Sequence, residues 1–190
     1  DKMDTLSYSI GVLFASSLKQ QGIEKVNADD LAQAFDAVMK GNPTKLSREQ
    51  ATQIYTKTLN ELSQKAGSAA KEEGERFLEE NKKREGVVTL PSGLQYQVLK
   101  MGDGEKPKAS SKVKTHYHGT LINGKVFDSS VDRGEPISFP LNGVIKGWQE
   151  GLQLMPVGSK FRFFIPYYLA YGERGAGADI KPYSALVFEV

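Results

Sequence analysis

The sequence predicts an α+β protein, with a helical N-terminal part and a β-rich C-terminal part. Apolar residues recur at helical spacing up to residue 62, whereas alternation of apolar and polar residues begins after residue 87. Asn123–Gly124, between two short apolar runs, is a typical hairpin turn. A highly charged stretch separates the two parts. We therefore expect a helical domain over residues 1–65, a continuing linker helix over 66–86, and a β-rich domain over 87–190.

Two short helices open the chain. The first, over residues 5–20, carries an apolar stripe of Leu6, Ile10, Leu13, Phe14 and Leu18. The second begins at Asn27, a favourable N-cap residue. It ends before Gly41 and Pro43, and its apolar residues are Leu31, Phe35, Val38 and Met39.

A third helix begins at Ser47, because Gln50 three residues later completes a capping box. No stop signal follows until Gly86, which predicts a helix about 57 Å long at 1.5 Å per residue. Its second half is mostly charged, and such helices usually bridge solvent between domains. We therefore expect a solvent-exposed spacer there.

The helical part is too small to form a good core by itself. Its apolar stripes would be best covered by a second copy of the same segment, so we expect a symmetric homodimer through residues 1–65. The alternative is a monomeric helical hairpin.

The C-terminal part reads as an antiparallel sheet of several strands. The strand candidates are residues 94–98, 113–117, 120–122, 125–127, 161–165 and 185–190. A short helix over residues 145–152 is expected to cover one face of this sheet.

Composition excludes several function classes. The net charge of +2 is too small to indicate binding to nucleic acid or to a membrane surface. The absence of cysteine excludes disulfides and thiolate chemistry. No apolar run approaches the ~18 residues of a membrane span. Because the first residue is Asp1, we expect a processed or trimmed start and the possible loss of an export signal.

Metal, nucleophile and phosphate chemistry are weakly supported. His116 and His118 are expected on one face of a strand, but no cysteine or nearby carboxylate completes a metal site. There is no Gly-x-Ser-x-Gly nucleophile elbow. The glycine pairs at 102–104 and 175–177 lack a phosphate-loop lysine. We therefore expect neither metal nor cofactor.

The remaining signal is a set of aromatic residues around Trp148, the only tryptophan. The other members are Tyr117, Phe127 and Tyr171. Each could be ordinary core, but together they describe a small apolar cup. Asp128 and the tyrosine hydroxyls would be its polar groups. Such a cup suits a compact, uncharged ring such as proline.

Residues from Gly93 to Val190 resemble an FKBP-type peptidyl-prolyl cis-trans isomerase domain. The resemblance rests on a collinear series of motifs: His116-Tyr-His-Gly-Thr-Leu121, Lys125-Val-Phe-Asp-Ser-Ser130, Arg133-Gly-Glu-Pro136, Asn142-Gly-Val-Ile-Lys-Gly-Trp148, Leu169-Ala-Tyr-Gly172 and Leu186-Val-Phe188. The helical half is similar to the bacterial macrophage infectivity potentiator (Mip) type, whose members dimerise through that region.

The resemblance implies a role for each matching residue. Trp148 would be the floor under the prolyl ring, with walls from Tyr117, Phe127, Val144, Ile145 and Phe188. Asp128 and Tyr171 would supply polar contacts, with Arg133 paired to Asp128. The sequence departs from the family at Ile137, where many members have an aromatic residue and one wall becomes thinner. It also departs at Ala176, Asp179 and Lys181, which leaves substrate preference and macrolide affinity open.

The implied function is an isomerase acting on X-Pro bonds of folding polypeptides, with chaperone activity of the dimeric arms. The alternatives are a holdase-type chaperone and a proline-motif binding module with little turnover. The implied partners are proline-containing unfolded chains, a second copy of this chain and macrolide inhibitors. The expected location is the periplasm or cell envelope, with the cytoplasm as the alternative.

Overall fold

The N-terminal helices begin at side-chain caps. In the computed structural model, which describes residues 2–190, α1 spans Thr5–Gln20, the range predicted from its apolar stripe. Asp4 caps it by accepting a hydrogen bond from the backbone N–H of Leu6 at 3.1 Å. Helix α2 spans Ala28–Met39, and the side chain of Asn27 accepts from the N–H of Asp30 at 3.0 Å. The N-cap predicted at Asn27 is therefore confirmed.

Helix α3 spans Arg48–Asn81 and begins with the predicted capping box. The N–H of Gln50 donates to Ser47 Oγ at 3.1 Å, and the N–H of Ser47 donates to Gln50 Oε1 at 2.9 Å. The expected end at Gly86 is wrong, because the helix stops at Asn81. The Leu78 carbonyl accepts from the N–H of Lys82 at 3.0 Å and also from Gln95 Nε2 at 2.9 Å, so the last turn of α3 is bonded to the chain at Gln95.

The chain divides into two compact units, Asp1–Lys65 and Ala66–Val190. In the first unit, no residue between 2 and 65 is buried. Large apolar side chains are exposed on all three helical segments there: Leu6, Leu13, Phe14, Leu31, Phe35, Val38, Met39, Ile54 and Tyr55. The rings of Phe14 and Phe35 approach to 6.4 Å between centroids. This unit therefore leaves its apolar stripes uncovered in a single copy.

In the second unit, the C-terminal half of α3 is not the solvent-exposed spacer that its charges predicted. Gly67, Gly74 and Asn81 are buried at seven-residue intervals along one face. Phe77 packs on Phe164 with ring centroids 6.1 Å apart. Asn81 Nδ2 donates to the side chain of Gln95 at 2.8 Å. The charged residues lie on the other faces of the helix. The high charge content therefore predicted full exposure, although one face is packed.

The β-rich part contains eight strands: β1 Val87–Thr89, β2 Gln95–Lys100, β3 Lys112–Thr115, β4 His118–Leu121, β5 Val126–Ser129, β6 Ile137–Pro140, β7 Lys160–Ile165 and β8 Leu186–Glu189. Six of them form an antiparallel sheet in the order β1-β2-β7-β8-β4-β5, and β3 pairs with β6 separately. The strand predicted over residues 113–117 is therefore interrupted, with His116 and Tyr117 between β3 and β4.

Two helices accompany the sheet: α4, a single turn over Ser130–Arg133, and α5, over Lys146–Leu152. Leu94, Phe161, Phe163, Ile165 and Leu186 form the centre of the core, and each is at most 1% exposed. Helices followed by an antiparallel sheet that packs on a helix confirm the predicted α+β class. Between residues 2 and 190, no helix is long and apolar enough to cross a membrane.

Candidate functional site

Two glycines determine how closely α5 approaches the sheet. A Cβ on Gly147 would lie 2.6 Å from Ile165 Cγ2, and one on Gly151 would lie 2.5 Å from Phe163 Cε1. Both distances are shorter than real side chains allow, so only glycine fits at these positions. The close approach brings Trp148 into the molecule, where it is 5% exposed. The glycines around the tryptophan are thus the reason for its burial.

Trp148 lies at the centre of an aromatic cluster. Its ring meets Tyr117 and Phe188 edge-on, with centroids 5.3 and 5.2 Å apart. Phe139 of β6 tilts against it at 5.5 Å. Phe127 meets Phe188 edge-on at 5.4 Å. These distances are typical of favourable aromatic pairs. The cluster brings together aromatic residues that lie up to 71 positions apart in the chain, from 117 to 188.

Gly119 of β4 makes room for two of these rings. A Cβ at this position would lie 2.7 Å from Phe188 Cε1 and 2.8 Å from Phe127 Cζ. Gly119 pairs with Phe188 across β4 and β8, and with Asp128 across β4 and β5. A larger residue would push both rings out of the cluster.

Ser130 holds the strand interruption at Tyr117. Its Oγ accepts from the N–H of Tyr117 at 2.7 Å, and its own N–H donates to the Tyr117 carbonyl at 2.9 Å. Ser130 is completely buried. These bonds pair the backbone N–H and carbonyl of Tyr117, which have no partner in the sheet. They also fix the backbone so that the Tyr117 ring packs on Trp148.

The polar wall of the site is a network of Tyr117, Asp128 and Arg133. The Tyr117 hydroxyl donates to Asp128 Oδ2 at 2.6 Å and accepts from Arg133 Nη2 at 2.9 Å. Arg133 Nη1 donates to the other oxygen, Asp128 Oδ1, so the predicted ion pair is present. Helix α4 is a single turn that is capped by Ser129 and ends at Gly134, which has φ 81°. This turn reverses the chain direction, so that the Arg133 side chain reaches Asp128.

The network sets the protonation state of its members. Burial tends to raise the pKa of Asp128, but hydrogen bonds from Tyr117 and Arg133 outweigh it and lower the pKa below its usual value. Burial, followed by the hydrogen bond to Asp128, raises the pKa of Tyr117. Burial and the Asp128 charge raise the pKa of Tyr171. At neutral pH the site therefore presents an ionised Asp128 and two protonated tyrosines.

The other predicted site residues lie around this cluster. Val144 and Ile145 immediately precede α5 and pack against the core. Tyr171, 40% exposed, follows the short 3₁₀ turn at Tyr167–Leu169. Ile137 of β6 is 42% exposed and does not pack on the core. It therefore forms an open edge of β6, next to Phe139 two residues on.

Sequence reasoning missed Phe139 and Ser130. Alternation along β6 was the available signal for Phe139, because it lies two residues after Ile137 and so on the same face. Nothing in the sequence distinguished Ser130 from an ordinary turn residue. Its position depends on the strand interruption at Tyr117, which the periodicity did not show.

A cavity of about 990 Å3 lies elsewhere in the β-rich unit and is not lined by Trp148 or Asp128. His116 and His118 both line it, but His116 lies between β3 and β4, so the two histidines do not share one strand as expected. Each forms a hydrogen bond through Nδ1 with a serine hydroxyl, at 3.1 and 2.8 Å. No group of three or more potential metal-binding side chains occurs within residues 2–190.

Comparison with protein families gives two matches that together cover nearly the whole chain. The model described as "FKBP-type peptidyl-prolyl cis-trans isomerase" matches residues 103–190. The model described as "Domain amino terminal to FKBP-type peptidyl-prolyl isomerase" matches residues 3–98.

Individual relatives resemble the chain over most of their own length. FkpA of Aeromonas hydrophila is 50% identical over 195 residues, covering 97% of this chain and 72% of the relative. The 22 kDa FKBP-type isomerase of Escherichia coli K12 is 44% identical, covering 97% and 91%. The outer membrane protein MIP of Legionella longbeachae is 42% identical, covering 98% and 83%.

The arrangement of the elements agrees with these matches. The crystal structure of FkpA from Escherichia coli is similar with a TM-score of 0.80 at 38% identity, covering 97% of this chain and 90% of that chain. The resemblance noted from the motifs and the enzyme class it implied are thereby confirmed. The chain belongs to the family of FKBP-type peptidyl-prolyl cis-trans isomerases.

Proposed function

We propose that this isomerase accelerates rotation about X-Pro bonds in unfolded or partly folded polypeptides, with the prolyl ring resting on the Trp148 indole. The observation that carries the proposal is the aromatic cluster itself. It joins an apolar floor that is 5% exposed to a charge-paired wall at Asp128 and Arg133. A cluster of this kind accepts a small apolar ring and leaves the peptide backbone at a polar edge.

The chemistry requires no bond to be broken. The barrier to rotation is about 18–20 kcal/mol and comes from amide resonance. At the twisted midpoint the resonance is lost, and the carbonyl becomes less polar than in the planar ground state. A water-poor aromatic surface therefore disfavours the planar form relative to the twisted one, which lowers the barrier.

Tyr171 and Asp128 have different roles in this proposal. The Tyr171 hydroxyl, kept protonated by its raised pKa, is a hydrogen-bond donor for the substrate backbone. Both carboxylate oxygens of Asp128 are already engaged, one by Tyr117 and one by Arg133. Asp128 therefore orients the wall, and no proton transfer through it is required.

The test is prolyl isomerisation of a short proline peptide and of a protein whose refolding is limited by a proline step. Trp148→Leu should lower kcat/KM at least tenfold, because it removes the floor. Phe161→Leu is the matched control. Phe161 is also buried but stacks on Tyr96, outside the cluster. The Phe161→Leu variant should therefore be less stable than the wild type but keep its activity per folded molecule.

Two results would contradict the proposal. One is a wild-type chain that isomerises the short peptide no faster than buffer does. The other is a Trp148→Leu variant with the activity of the control. Saturable peptide binding without acceleration would instead favour a proline-motif binding module.

We propose further that two copies associate through residues 1–65. The support is that no residue between 2 and 65 is buried, although large apolar side chains recur along all three helical segments. Folded domains of this size normally bury more than half of their surface. A second copy of the same stripes would provide the missing cover, as the sequence led us to expect.

Analytical ultracentrifugation tests the association. Phe35→Glu introduces a charge among the exposed apolar residues of the first unit and should produce monomers. Val157→Glu is the matched control, since Val157 is 70% exposed but lies in the β-rich unit, and it should remain dimeric. A monomeric wild-type chain would overturn the proposal.

A holdase function is the second candidate, because the uncovered apolar surface of residues 2–65 could also bind clients. Light scattering of an aggregating client without a slow proline step measures this activity directly. If Trp148→Leu suppresses aggregation of the client as well as the wild type does and Phe35→Glu does not, the holdase activity belongs to the helical unit. No suppression by the wild type would exclude it.

We propose that macrolides that mimic a prolyl ring compete for the same cluster. Quenching of Trp148 fluorescence on titration would report their binding. The open edge at Ile137 predicts weaker binding than in an Ile137→Phe variant. Equal affinity of the two proteins would contradict this role of Ile137.

We propose a periplasmic or envelope-associated location. One support is that a relative at 42% identity, from Legionella longbeachae, is named an outer membrane protein. Osmotic-shock fractionation of the cells that produce the protein tests the location. Recovery with cytoplasmic markers would overturn the proposal.

A further inference from the structure

The segment that follows Tyr171 is a loop closed at a narrow neck. The N–H of Gly172 donates to the Tyr167 carbonyl at 2.9 Å, and the N–H of Tyr183 donates to the Gly172 carbonyl at 2.9 Å. Ala176 and Ile180 bridge the loop further out. Tyr171 stands directly before this neck. The position of the Tyr171 side chain therefore depends on how the neck is held.

The neck contains a residue in an unfavourable backbone conformation. Tyr183 has φ 62°, and between residues 2 and 190 it is the only residue other than glycine with a positive φ. An aromatic side chain rarely adopts this left-handed conformation, and it persists only where its surroundings hold it. The contacts of the Tyr183 ring are those surroundings.

Helix α3 supplies two of these contacts. Lys71 Nζ lies 5.8 Å from the centroid of the Tyr183 ring and 5.9 Å from that of Tyr167. The two rings meet edge-on at 5.0 Å. Gly67, one turn earlier on the same face of α3, lies so close that a Cβ there would be 3.2 Å from Tyr183 Cδ2. The ammonium group and the glycine therefore both lie against the Tyr183 ring, which is partly buried.

We propose that Lys71 and Gly67 are positioning residues for catalysis: through Tyr183 they hold the neck of the loop and thereby place the Tyr171 hydroxyl at the aromatic cluster. The inference rests on the proposed function, in which Tyr171 donates a hydrogen bond to the twisted peptide. Lys71 and Gly67 touch no member of the Trp148 cluster. Their effect on the reaction passes through the loop alone.

The proposal predicts which kinetic constant changes. The apolar floor binds the prolyl ring whether or not the neck is held, so KM should change little. Misplacement of the Tyr171 donor should lower kcat. Loss of an exposed cation–π contact shifts the equilibrium between the held and the released neck by roughly two- to fivefold, which is the upper limit of the fall in kcat expected for Lys71→Met.

The variants are compared in the full chain. Lys71→Met should lower kcat as stated, and Lys71→Arg should restore it, because a guanidinium also packs over aromatic rings. Lys82→Met, which removes an exposed lysine paired with Glu79 just beyond α3, is the control for charge. It should leave kcat unchanged.

Two glycines of α3 form a second matched pair. Gly67→Ala and Gly74→Ala raise helix propensity equally. Each new Cβ would meet a neighbour at 3.2 Å, but that neighbour is the Tyr183 ring for Gly67 and Ala185 Cβ for Gly74. Only Gly67→Ala should lower kcat, by about twofold.

Amide hydrogen exchange tests the neck without reference to activity. The N–H groups of Gly172 and Tyr183 should exchange several-fold faster in Lys71→Met than in the wild type or in Lys82→Met. Unchanged exchange at both amides would overturn the proposal.

Measurements of kcat distinguish failure of the positioning role from failure of the proposed function. If Tyr171→Phe lowers kcat while Lys71→Met and Gly67→Ala match the wild type, the positioning role is wrong and the function stands. If the wild-type chain does not accelerate isomerisation, the proposed function fails first. If Tyr171→Phe has no effect, the role of Tyr171 and the positioning role fail together.

Discussion

Removal of one oxygen atom, by Tyr117→Phe, tests the polar wall of the site. The ring stays in place, since its contacts with Trp148 and Phe188 do not involve the hydroxyl. The lost group donates to Asp128 at 2.6 Å and accepts from Arg133 at 2.9 Å. The variant therefore removes hydrogen bonds and leaves packing intact.

The magnitude follows from the exposure of the partners. A hydrogen bond to a charged group contributes about 1.5–3 kcal/mol when it is well shielded. The Asp128 side chain is 43% exposed, so water replaces part of the lost interaction and we expect about 1 kcal/mol. The pKa of Asp128 should rise, because one of the hydrogen bonds that lower it is removed.

The contribution of Asp128 to stability depends on pH. The pKa of Asp128 is lower in the folded state than in the unfolded chain, where it is about 3.9. Its contribution to stability is fully present above that value and is lost as pH falls through the lower folded pKa. The difference between Tyr117→Phe and the wild type should therefore shrink in the same acidic range.

Urea unfolding followed by the fluorescence of Trp148 measures the free energy of unfolding, and carboxyl NMR measures the pKa. Tyr96→Phe is the control, because the Tyr96 ring stacks on Phe161 and its hydroxyl is not part of this network. The reasoning is refuted if Tyr117→Phe and Tyr96→Phe have equal stability and the pKa of Asp128 is unchanged.

Three further outcomes are expected. The kcat/KM for a proline peptide should be flat from about pH 5 to pH 9, because the pKa of Asp128 is lowered and those of both site tyrosines are raised; a bell-shaped profile centred near neutrality would contradict this. Gly151→Ala should lower the free energy of unfolding, because overpacking against Phe163 costs about 1–3 kcal/mol, more than the helix gains; a more stable variant in urea would count against the close approach of α5. Ser47→Ala should cost about 0.5–2 kcal/mol at the start of α3 and speed hydrogen exchange of the Gln50 amide; unchanged exchange would contradict the capping box.

Local signals explain why the helices were predictable from the sequence. The apolar stripe of α1, the N-cap at Asn27 and the capping box at Ser47 each depend on residues within one or two turns. The fold class and the family were equally accessible, because the β-rich part carries several motifs in one order. The pairing of Asp128 with Arg133 was inferred from those motifs and is present in the structure.

The features that could not be predicted from the sequence are contacts between residues that are separated along the chain. The C-terminal half of α3 reads as polar, yet Gly67 and Gly74 are buried because Pro182, Tyr183 and Ala185, more than 100 positions later, pack on them. Asn81, the last residue of α3, is likewise buried where its side chain bonds to that of Gln95. Phe139 joins the site only because its strand, β6, is brought beside α5 in the fold.

The order of strands in the sheet has a consequence for how the domain folds. Strand β8 lies between β7 and β4 and, within residues 2–190, is the only strand that links β1-β2-β7 on one side to β4-β5 on the other. Until residues 186–189 have been synthesised, the two halves share no ladder, and Phe188 is absent from the cluster around Trp148. Pairings of such high sequence separation form late and slowly. We therefore expect this enzyme to acquire its site only after residues 186–189 have been synthesised and have joined the sheet.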